Sequence, residues 1–376
     1  MFLIQFSCYT SNQDNIFRNQ DLSLFRRPAA VFAILLIFHL VFFAYPLLRI
    51  CEWLGLTPTL TIVIFLPLFF SQIISRLLFR VAARKTLWLR YVADFYLGLS
   101  PFLLFSVLGS EVAMFFGDVS ARFAALFSIG FAGSVGVFGF FSALIPRVRK
   151  IILKSHKVQR DFSFVQMSDI HIGSRTGRFL EQLVRKISRL DPDFLCITGD
   201  FIDATGVSRS ELMSLEKLQC PVYFSIGNHE RYEDLDQILA RLHSLGVRTL
   251  RTDFFRHGEG IQVIGIDDKD DSQQVKNELE KIKIDSGAYS ILMYHRPIGF
   301  SDAASAGIDL MLSGHTHKGQ IFPFNLVVSR VFHYVSGLHR LGDALLYVSQ
   351  GTGTWGPVMR VGSYSEITFF EVKSEL

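Results

Sequence analysis

Before Pro146 the chain holds three uncharged apolar runs, each long enough to cross a hydrocarbon core: Pro28 to Leu48, Trp53 to Ser75 and Phe123 to Pro146. Lipid offers no partner to an exposed backbone amide, so about 20 such residues in a row fold there as a helix. A fourth run, Phe95 to Gly117, includes Glu111 and starts beside Asp94, and is read as a span too. The expectation is an all-α transmembrane bundle of about four helices over 28–146. An N-terminal cytoplasmic segment (1–27) precedes it. A basic linker (147–161) and an aqueous domain (162–376) follow. This division accounts for a hydrophobic content of 49%, high for a soluble chain.

Positive charges that flank spans tend to stay on the cytoplasmic side. Arg18, Arg26 and Arg27 precede the first span. Arg76, Arg80, Arg84, Lys85 and Arg90 fill the second connection, and Arg147, Arg149, Lys150 and Lys154 follow the last span. The first and third connections offer only Arg49 against Glu52 and Arg122 near Asp118. Four spans with both ends inside satisfy every loop, which predicts a multi-pass protein of the inner or cell membrane with its aqueous domain in the cytoplasm. A twin-arginine export signal at Arg26-Arg27 is the rival reading. It is set aside because a cleavable signal has a short apolar core and this run is long and followed by further spans.

Within the spans, Gly130, Gly133, Gly136 and Gly139 make small faces for close helix approach. A polar pathway through His39, Asp94 and Glu111 is the less favoured reading; the acids Asp94 and Glu111 are read as marking helix ends near headgroups. A net charge of +4 is too small to argue for a nucleic-acid partner, and the second half has no basic tract interleaved with aromatics, so that reading is set aside. Cys8, Cys51, Cys196 and Cys220 show no CxxC spacing, so neither a disulfide framework nor a thiolate zinc site is suggested. Cys196, inside an apolar run, is read as a small core side chain.

From Phe162 onward, β-branched or aromatic runs alternate with amphipathic stretches, which predicts layered α/β structure. Strands are expected at Ser163 to Ser168, Phe194 to Thr198, Val222 to Ile226, Ile261 to Ile266, Ser290 to Tyr294, Leu310 to Ser313, Leu345 to Ser349 and Glu366 to Val372. Helices are expected over Arg178 to Arg189, and from Leu235 to Gly246. Five of the strands run directly into polar groups: Asp169-Ile170-His171, Gly199-Asp200, Gly227-Asn228-His229-Glu230, His295, and Gly314-His315-Thr316-His317. In layered folds, ligand sites collect at one such edge.

Taken singly, each group has an ordinary explanation as a turn or a hydrogen-bonded core residue. Five strand ends supplying Asp, His or Asn together point to metal. The mixed nitrogen and oxygen set of Asp169, His171, Asp200, Asn228, His295, His315 and His317 suits divalent ions such as manganese, iron or zinc better than calcium. Seven ligands exceed the need of one ion. They suit two ions sharing a carboxylate, about 3.5–4 Å apart in two-metal hydrolases.

The ordered series Asp169-x-His171, Gly199-Asp200-x-x-Asp203, Gly227-Asn228-His229-Glu230, His295 and Gly314-His315-Thr316-His317 resembles the calcineurin-like metallophosphoesterase family over about Phe162 to Val372. The resemblance implies a four-layer αββα sandwich and a dinuclear site. Asp169, His171 and His317 would hold one ion, Asn228, His295 and His315 the other, and Asp200 would bridge them. His229 would act beside the phosphate as proton donor or transition-state stabiliser, and Asp203 would orient His229 from behind. The stretches Gly319 to Phe324 and Gly351 to Arg360 are similar to the bacterial membrane-anchored branch, from which Lys318 departs where glycine is usual.

The function so implied is hydrolysis of a phosphoester or phosphoanhydride by a metal-bridging hydroxide, on an amphipathic or lipid-linked substrate at the bilayer. Alternatives are a phosphodiesterase with a soluble substrate, and a transport or regulatory protein carrying an accessory phosphoesterase module. Lys318, Arg340 and Arg360 are candidates to meet substrate phosphates. The apolar stretch Leu326 to Leu341 is expected to pack into the core in preference to touching lipid.

Overall fold

The computed structural model describes residues 28–82, 86–258 and 260–375. The N-terminal segment, with Arg18, Arg26 and Arg27, and also Arg84 and Lys85, lies outside the described residues. The chain divides into a helical unit that ends at Phe141 and takes in Gly356–Val361, and an α/β unit made of Ser142–Trp355 and Gly362–Leu376.

In the helical unit, α1 (Pro28–His39), a π-helical turn (Leu40–Ala44) and α2 (Tyr45–Trp53) form the apolar helix Phe32–Trp53. The π turn falls just before Pro46, whose ring crowds the carbonyl four residues back. The expected second span is a bent pair. Helices α3 (Pro58–Phe69) and α4 (Ser71–Ala82) meet at 53°, just after Pro67 removes an amide donor. Two further helices are α5 (Leu87–Phe116) and α6 (Ala121–Leu144). Among the described residues three helices are long and apolar enough to cross a membrane, four if the bent pair is one span.

The acids of α5 lie within two turns of its ends and are paired. Glu111 accepts from Arg49 at 2.6 Å and from Tyr45, while Asp94 lies 3.6 Å from Arg90. Of the α6 glycines, a Cβ on Gly136 would stand 2.6 Å from Leu99 and one on Gly139 2.5 Å from Met359, so these two mark close packing. Gly130 and Gly133 meet nothing within 4 Å.

The α/β unit is built on two six-stranded sheets. The first contains β1 (Arg147–Ser155), β2 (Phe162–Met167), β3 (Phe194–Thr198), β4 (Val222–Ser225) and β5 (Val247–Thr249). The second contains β6 (Asp253–His257), β7 (Ile261–Gly265), β8 (Tyr289–Met293), β9 (Leu310–Ser313), β10 (Gly337–Leu341) and β11 (Ala344–Val348). The last strand, β12 (Glu366–Ser374), returns to the first sheet, giving the orders β1-β12-β2-β3-β4-β5 and β10-β11-β9-β8-β7-β6. Strand β1 corrects the expected linker. Residues 147–155 pair in parallel with β12, Arg147 opposite Glu366, and their charges face outward along an edge strand.

Alternation along the strands builds three apolar layers, because successive side chains point to opposite faces. Phe164, Phe194, Cys196 and Tyr223 turn toward the second sheet and pack with Val263, Ile291, Leu312 and Tyr347. Val165, Leu195 and Ile197 turn the other way, onto Leu180, Leu183 and Ile187 of α7 (Gly177–Ser188). Two further helices follow β4: α8 (Asn228–Tyr232) and α9 (Leu235–His243), the latter adding Ile238 and Leu242 to that layer. On the far side, Ile264, Leu292 and Met311 meet Val275 of α10 (Gln274–Leu279) and Phe300 of α11 (Phe300–Ser305). The result is the expected four-layer αββα sandwich. Strands β2, β3 and β4 are mutually parallel, as are β7, β8, β9 and β11, so each group's C-terminal ends lie at one edge of its sheet.

Candidate metal centre

The loops after β2, β3, β4, β8 and β9 deliver the seven predicted ligands to that edge. One ligand atom each from Asp169, His171 and His317 falls within 4.8 Å of the others, and the same holds for Asp200, His295 and His315. A third group, His171, Asp200 and His229, joins the two. Asp200 lies between the sets, its Oδ2 3.1 Å from His295 Nε2 and 3.9 Å from His229 Nε2. His171 and His317 bring their Nε2 atoms to 3.2 Å, and His315 Nδ1 lies 3.0 Å from His295 Nε2.

Placing these atoms so close costs backbone freedom. Asp169, His171, Asp200, His315 and His317 all have positive φ, between 47° and 70°. Such residues cost about 1–3 kcal/mol each and persist only where surroundings over-determine them. Here the surroundings are close backbone contacts. A Cβ on Gly314 would stand 1.9 Å from Ser168 Oγ, and one on Gly353 2.1 Å from the Ile170 carbonyl oxygen. The Gly353 amide donates to Asp169 O at 2.9 Å and Thr352 to Ser168 O at 2.7 Å, so the 351–354 segment braces the first ligand loop.

Charge within the cluster is strongly shared. Burial raises the Asp169 carboxyl, and the neighbouring Asp200 adds to that rise. Burial would also raise Asp200, yet His295, His229 and His171 hold it well below the usual carboxylate range. His295, against the cost of its own burial, is pushed up to about 10 by Asp200. His315 is driven well below the usual imidazole value by burial and by His295, and His229 is lowered by burial. A neutral imidazole is the form that ligates metal.

The donor set fits divalent cations on two further observations. Asn228 Oδ1 is buried without a hydrogen-bond partner, an arrangement that costs about 1–3 kcal/mol unless something else satisfies it. Imidazole nitrogens also converge on carboxylate oxygens from several loops, and His295 Nδ1 is fixed by the Thr198 carbonyl at 2.9 Å, leaving Nε2 for the centre.

A family model described as calcineurin-like phosphoesterase matches residues 162–319. An uncharacterised metallophosphoesterase of Aquifex aeolicus is 30% identical over 254 residues, which cover 64% of this chain and 97% of that protein. The chain belongs to the calcineurin-like phosphoesterase family. An uncharacterised metallophosphoesterase of Campylobacter jejuni is 32% identical over 61% of this chain and 64% of its own length. A Bos taurus protein named as a transmembrane protein with a metallophosphoesterase domain is 33% identical over 59% of this chain and 56% of its own length. The match thus spans less than two thirds of these last two relatives. Membership supports metal-dependent phosphoester hydrolysis, and the apolar helices together with the transmembrane relative suggest a membrane protein.

Within this phosphoesterase the remaining predicted site residues separate. His229 sits at the cluster with its backbone amide donating to Asp200 Oδ1 at 2.9 Å, and its ring lies 6.2 Å from that of Trp355. Asp203 corrects the expectation. It meets His171, Oδ2 to Nδ1 at 3.3 Å, and Ser174, and so orients a ligand and not His229. Lys318 lies in the ligand turn itself, half-buried. Arg340 pairs with Leu345, at the end of β11 remote from the ligand loops, so the sheet register argues against a phosphate contact there. Arg360 is fully buried and groups with the helical unit, where its amide donates to Gly139 O at 2.9 Å.

Two positioning devices escaped sequence reasoning. Glu230, fully buried, accepts from the amides of Asp200 (3.1 Å), Phe201 (2.7 Å), Ile202 (2.9 Å) and Gly227 (2.9 Å), clamping the loop that carries Asp200 to the one that carries Asn228. Asp268 takes Arg296, next to His295, at 2.7 Å, and its carbonyl accepts from Arg231, next to Glu230. The motif Gly-Asn-His-Glu was the only signal for the first, and nothing in spacing announced the second.

Proposed function

We propose that the protein is a membrane-anchored phosphohydrolase with a dinuclear centre, its catalytic unit in the cytoplasm, acting on a phosphoester or phosphoanhydride of an amphipathic or lipid-linked molecule. The observation that carries the reading is the convergence of Asp169, His171 and His317 with Asp200, His295 and His315 around shared ligand distances. Asp169, His171 and His317 would hold one ion, and Asn228, His295 and His315 the other, with Asp200 common to both. When bound, such ions neutralise phosphoryl charge and acidify water toward a pKa of about 7.

The protein's own groups do the rest. His229 is buried at the cluster, its Nε2 3.9 Å from Asp200 Oδ2 and its ring 6.2 Å from that of Trp355. Its lowered pKa favours a neutral ring. A bound phosphate anion would counter that lowering and let the ring hold the proton that a leaving oxygen takes up. Asp203 and Thr198 O fix the unliganded nitrogens of His171 and His295, and Glu230 fixes the backbone that carries Asp200. An anchor raises the local concentration of the catalytic unit at lipid, which favours an amphipathic substrate.

The test is metal analysis of the purified full chain alongside hydrolysis of a soluble aryl phosphodiester and a detergent-dispersed phospholipid. The expected result is about two manganese, iron or zinc ions per chain, hydrolysis, and loss of both in Asp200→Asn. Full metal content and turnover in that variant would refute the site.

A further inference from the structure

His229 has no acid holding its ring. Asp203, expected to orient it, accepts instead from the Ser174 amide at 2.8 Å and from the Ser174 hydroxyl, and meets His171 at 3.3 Å. The oxygen of Asp200 at 3.9 Å is beyond hydrogen-bond reach. Among the described residues the His229 ring makes no hydrogen bond, its only such bond being that of its backbone amide. What the ring meets is aromatic. Its centroid lies 4.8 Å from that of His171, 5.7 Å from that of Tyr232 and 6.2 Å from that of Trp355, at interplanar angles of 87°, 71° and 67°. Edge-to-face contact at such separations is a favoured geometry for aromatic pairs.

Trp355 owes its place to a contact between two stretches that the ligand set leaves unexplained, Gly319 to Phe324 and Gly351 to Arg360. They meet at Gln320. Its carboxamide donates to Trp355 O at 3.0 Å and accepts from the Trp355 amide at 2.9 Å, so one side chain takes both main-chain groups of the tryptophan. Gln320 is pinned in turn. It is buried at φ 55°, its amide donates to His317 O at 3.0 Å, and its carbonyl accepts from the Ser363 hydroxyl at 2.9 Å. Two residues before Trp355, the Gly353 amide holds the Asp169 carbonyl. The tryptophan is thus tied through its own backbone to the first ligand loop and to the turn of His315 and His317, and its ring reaches the third loop at His229.

The stretch beyond Gln320 behaves differently. On α12 (Phe324–Val331), Leu326 and Val327 are 48% and 43% exposed, so the expected packing of Leu326 to Leu341 into the core fails at the helix. It holds at Phe332, which is buried with its ring 5.7 Å from that of His315.

We propose that Trp355 is the positioning residue of His229: the Gln320 clasp sets the indole, and the indole and the Tyr232 ring confine the imidazole in the place of an orienting carboxylate. Edge contacts fix where the ring lies while leaving both of its nitrogens uncommitted to protein partners. The assignment deepens the reading of His229 as proton donor to the leaving oxygen and rests on it. Confinement of the ring is present with or without turnover, so the two can fail separately.

The experiment uses the metal-loaded full chain and a soluble aryl phosphodiester. In Trp355→Leu, kcat should fall by roughly 10- to 10²-fold with KM and metal content close to wild type, the scale of a misplaced reacting group. Trp355→Phe, which keeps a ring, should recover most of the loss, and Gln320→Met, which keeps the shape but neither hydrogen bond, should lose less than the leucine variant. A residue that acts through His229 has nothing left to act on without it, so Trp355→Leu should add no loss in a His229→Ala background. A further loss in that double variant, a raised KM with kcat intact, or depleted metal overturns the assignment. A second readout needs no turnover. Diethyl pyrocarbonate should modify His229 several-fold faster in Trp355→Leu and Gln320→Met than in wild type, scored by peptide mass, and equal rates overturn the confinement. If Trp355→Leu misfolds, Gln320→Met carries both measurements. A wild-type chain that fails to cleave the diester removes the enzymatic reading, and the modification rates still decide whether the tryptophan holds the histidine.

Discussion

In the helical unit Phe115 and Phe116 are 82% and 81% exposed, and Phe131, near the middle of α6, is 43% exposed. In the catalytic unit Phe164, Phe194 and Phe370 are all fully buried, and the rings of Phe164 and Phe370 stack at 4.6 Å. The same side chain is spent differently because the solvent differs. Between two sheets in water, apolar area must find other protein. A helix in lipid gains nothing by hiding it, and closes on its neighbours through small residues such as Gly136 and through paired polar groups such as Arg49 and Glu111. Strain is distributed just as unevenly. Among the described residues, the nine non-glycine residues with positive φ all lie in the catalytic unit, and five of them are predicted ligands. The cores on either side of the two sheets hold those loops in conformations they would not choose alone.

Substitutions at the strained edge should therefore act on chemistry without loosening the sandwich, and the largest such effect belongs to His229. Replacing it by alanine removes the proposed proton donor but no predicted ligand. Turnover of a soluble diester should fall by roughly 10²- to 10⁴-fold with metal content near wild type. Parallel kinetics and elemental analysis measure both, and a variant that loses its metal would move His229 into the ligand set.

The helical unit answers to a different cost. Phe131→Asp puts a carboxylate on an exposed position near the centre of a span, which opposes insertion by about 2.5–3.5 kcal/mol. A reporter fused after Leu144 should show a large mislocated fraction, and normal insertion would break the comparison by taking α6 out of the lipid. Weaker still should be Asp203→Asn. It loosens the orientation of His171 through Nδ1, so metal affinity should fall by about 10- to 100-fold while the thermal midpoint of the metal-loaded protein stays close to wild type. Competition against a chelator reads the affinity directly.

How much of this was legible follows from where each element buries its side chains. The eight strands expected from sequence are buried on both faces or nearly so, and run as unbroken apolar segments. The strands missed are of another kind. β1 is exposed and charged, β5 has only three residues, and β6 and β10 are half-exposed edges. An edge strand gains its place from backbone pairing, which leaves little trace in composition. The ligands were legible because each follows a strand directly. The partner of Asp203 was not, since the four amides around Glu230 and the meeting of Asp203 with His171 depend on how loops cross, and motif order does not encode that. Pro67 was visible in the second apolar run, yet a proline in a span permits either a kink or a straight helix, as Pro101 inside α5 shows.

The smallest expected effect is the one that isolates the solvent. Met213 is 48% exposed on the catalytic unit, close to the 43% of Phe131. Aspartate at Met213 enters water, where no hydrogen bond is lost and little apolar contact is given up, so the thermal midpoint should correspond to a change within about 0.5 kcal/mol. Two sites of nearly equal exposure thus predict costs that differ several-fold, and the quantity that separates them is the medium each side chain faces. If Met213→Asp proved as damaging as Phe131→Asp, exposure in the two units would mean the same thing, and the surface around Met213 would have to be covered by apolar material of its own.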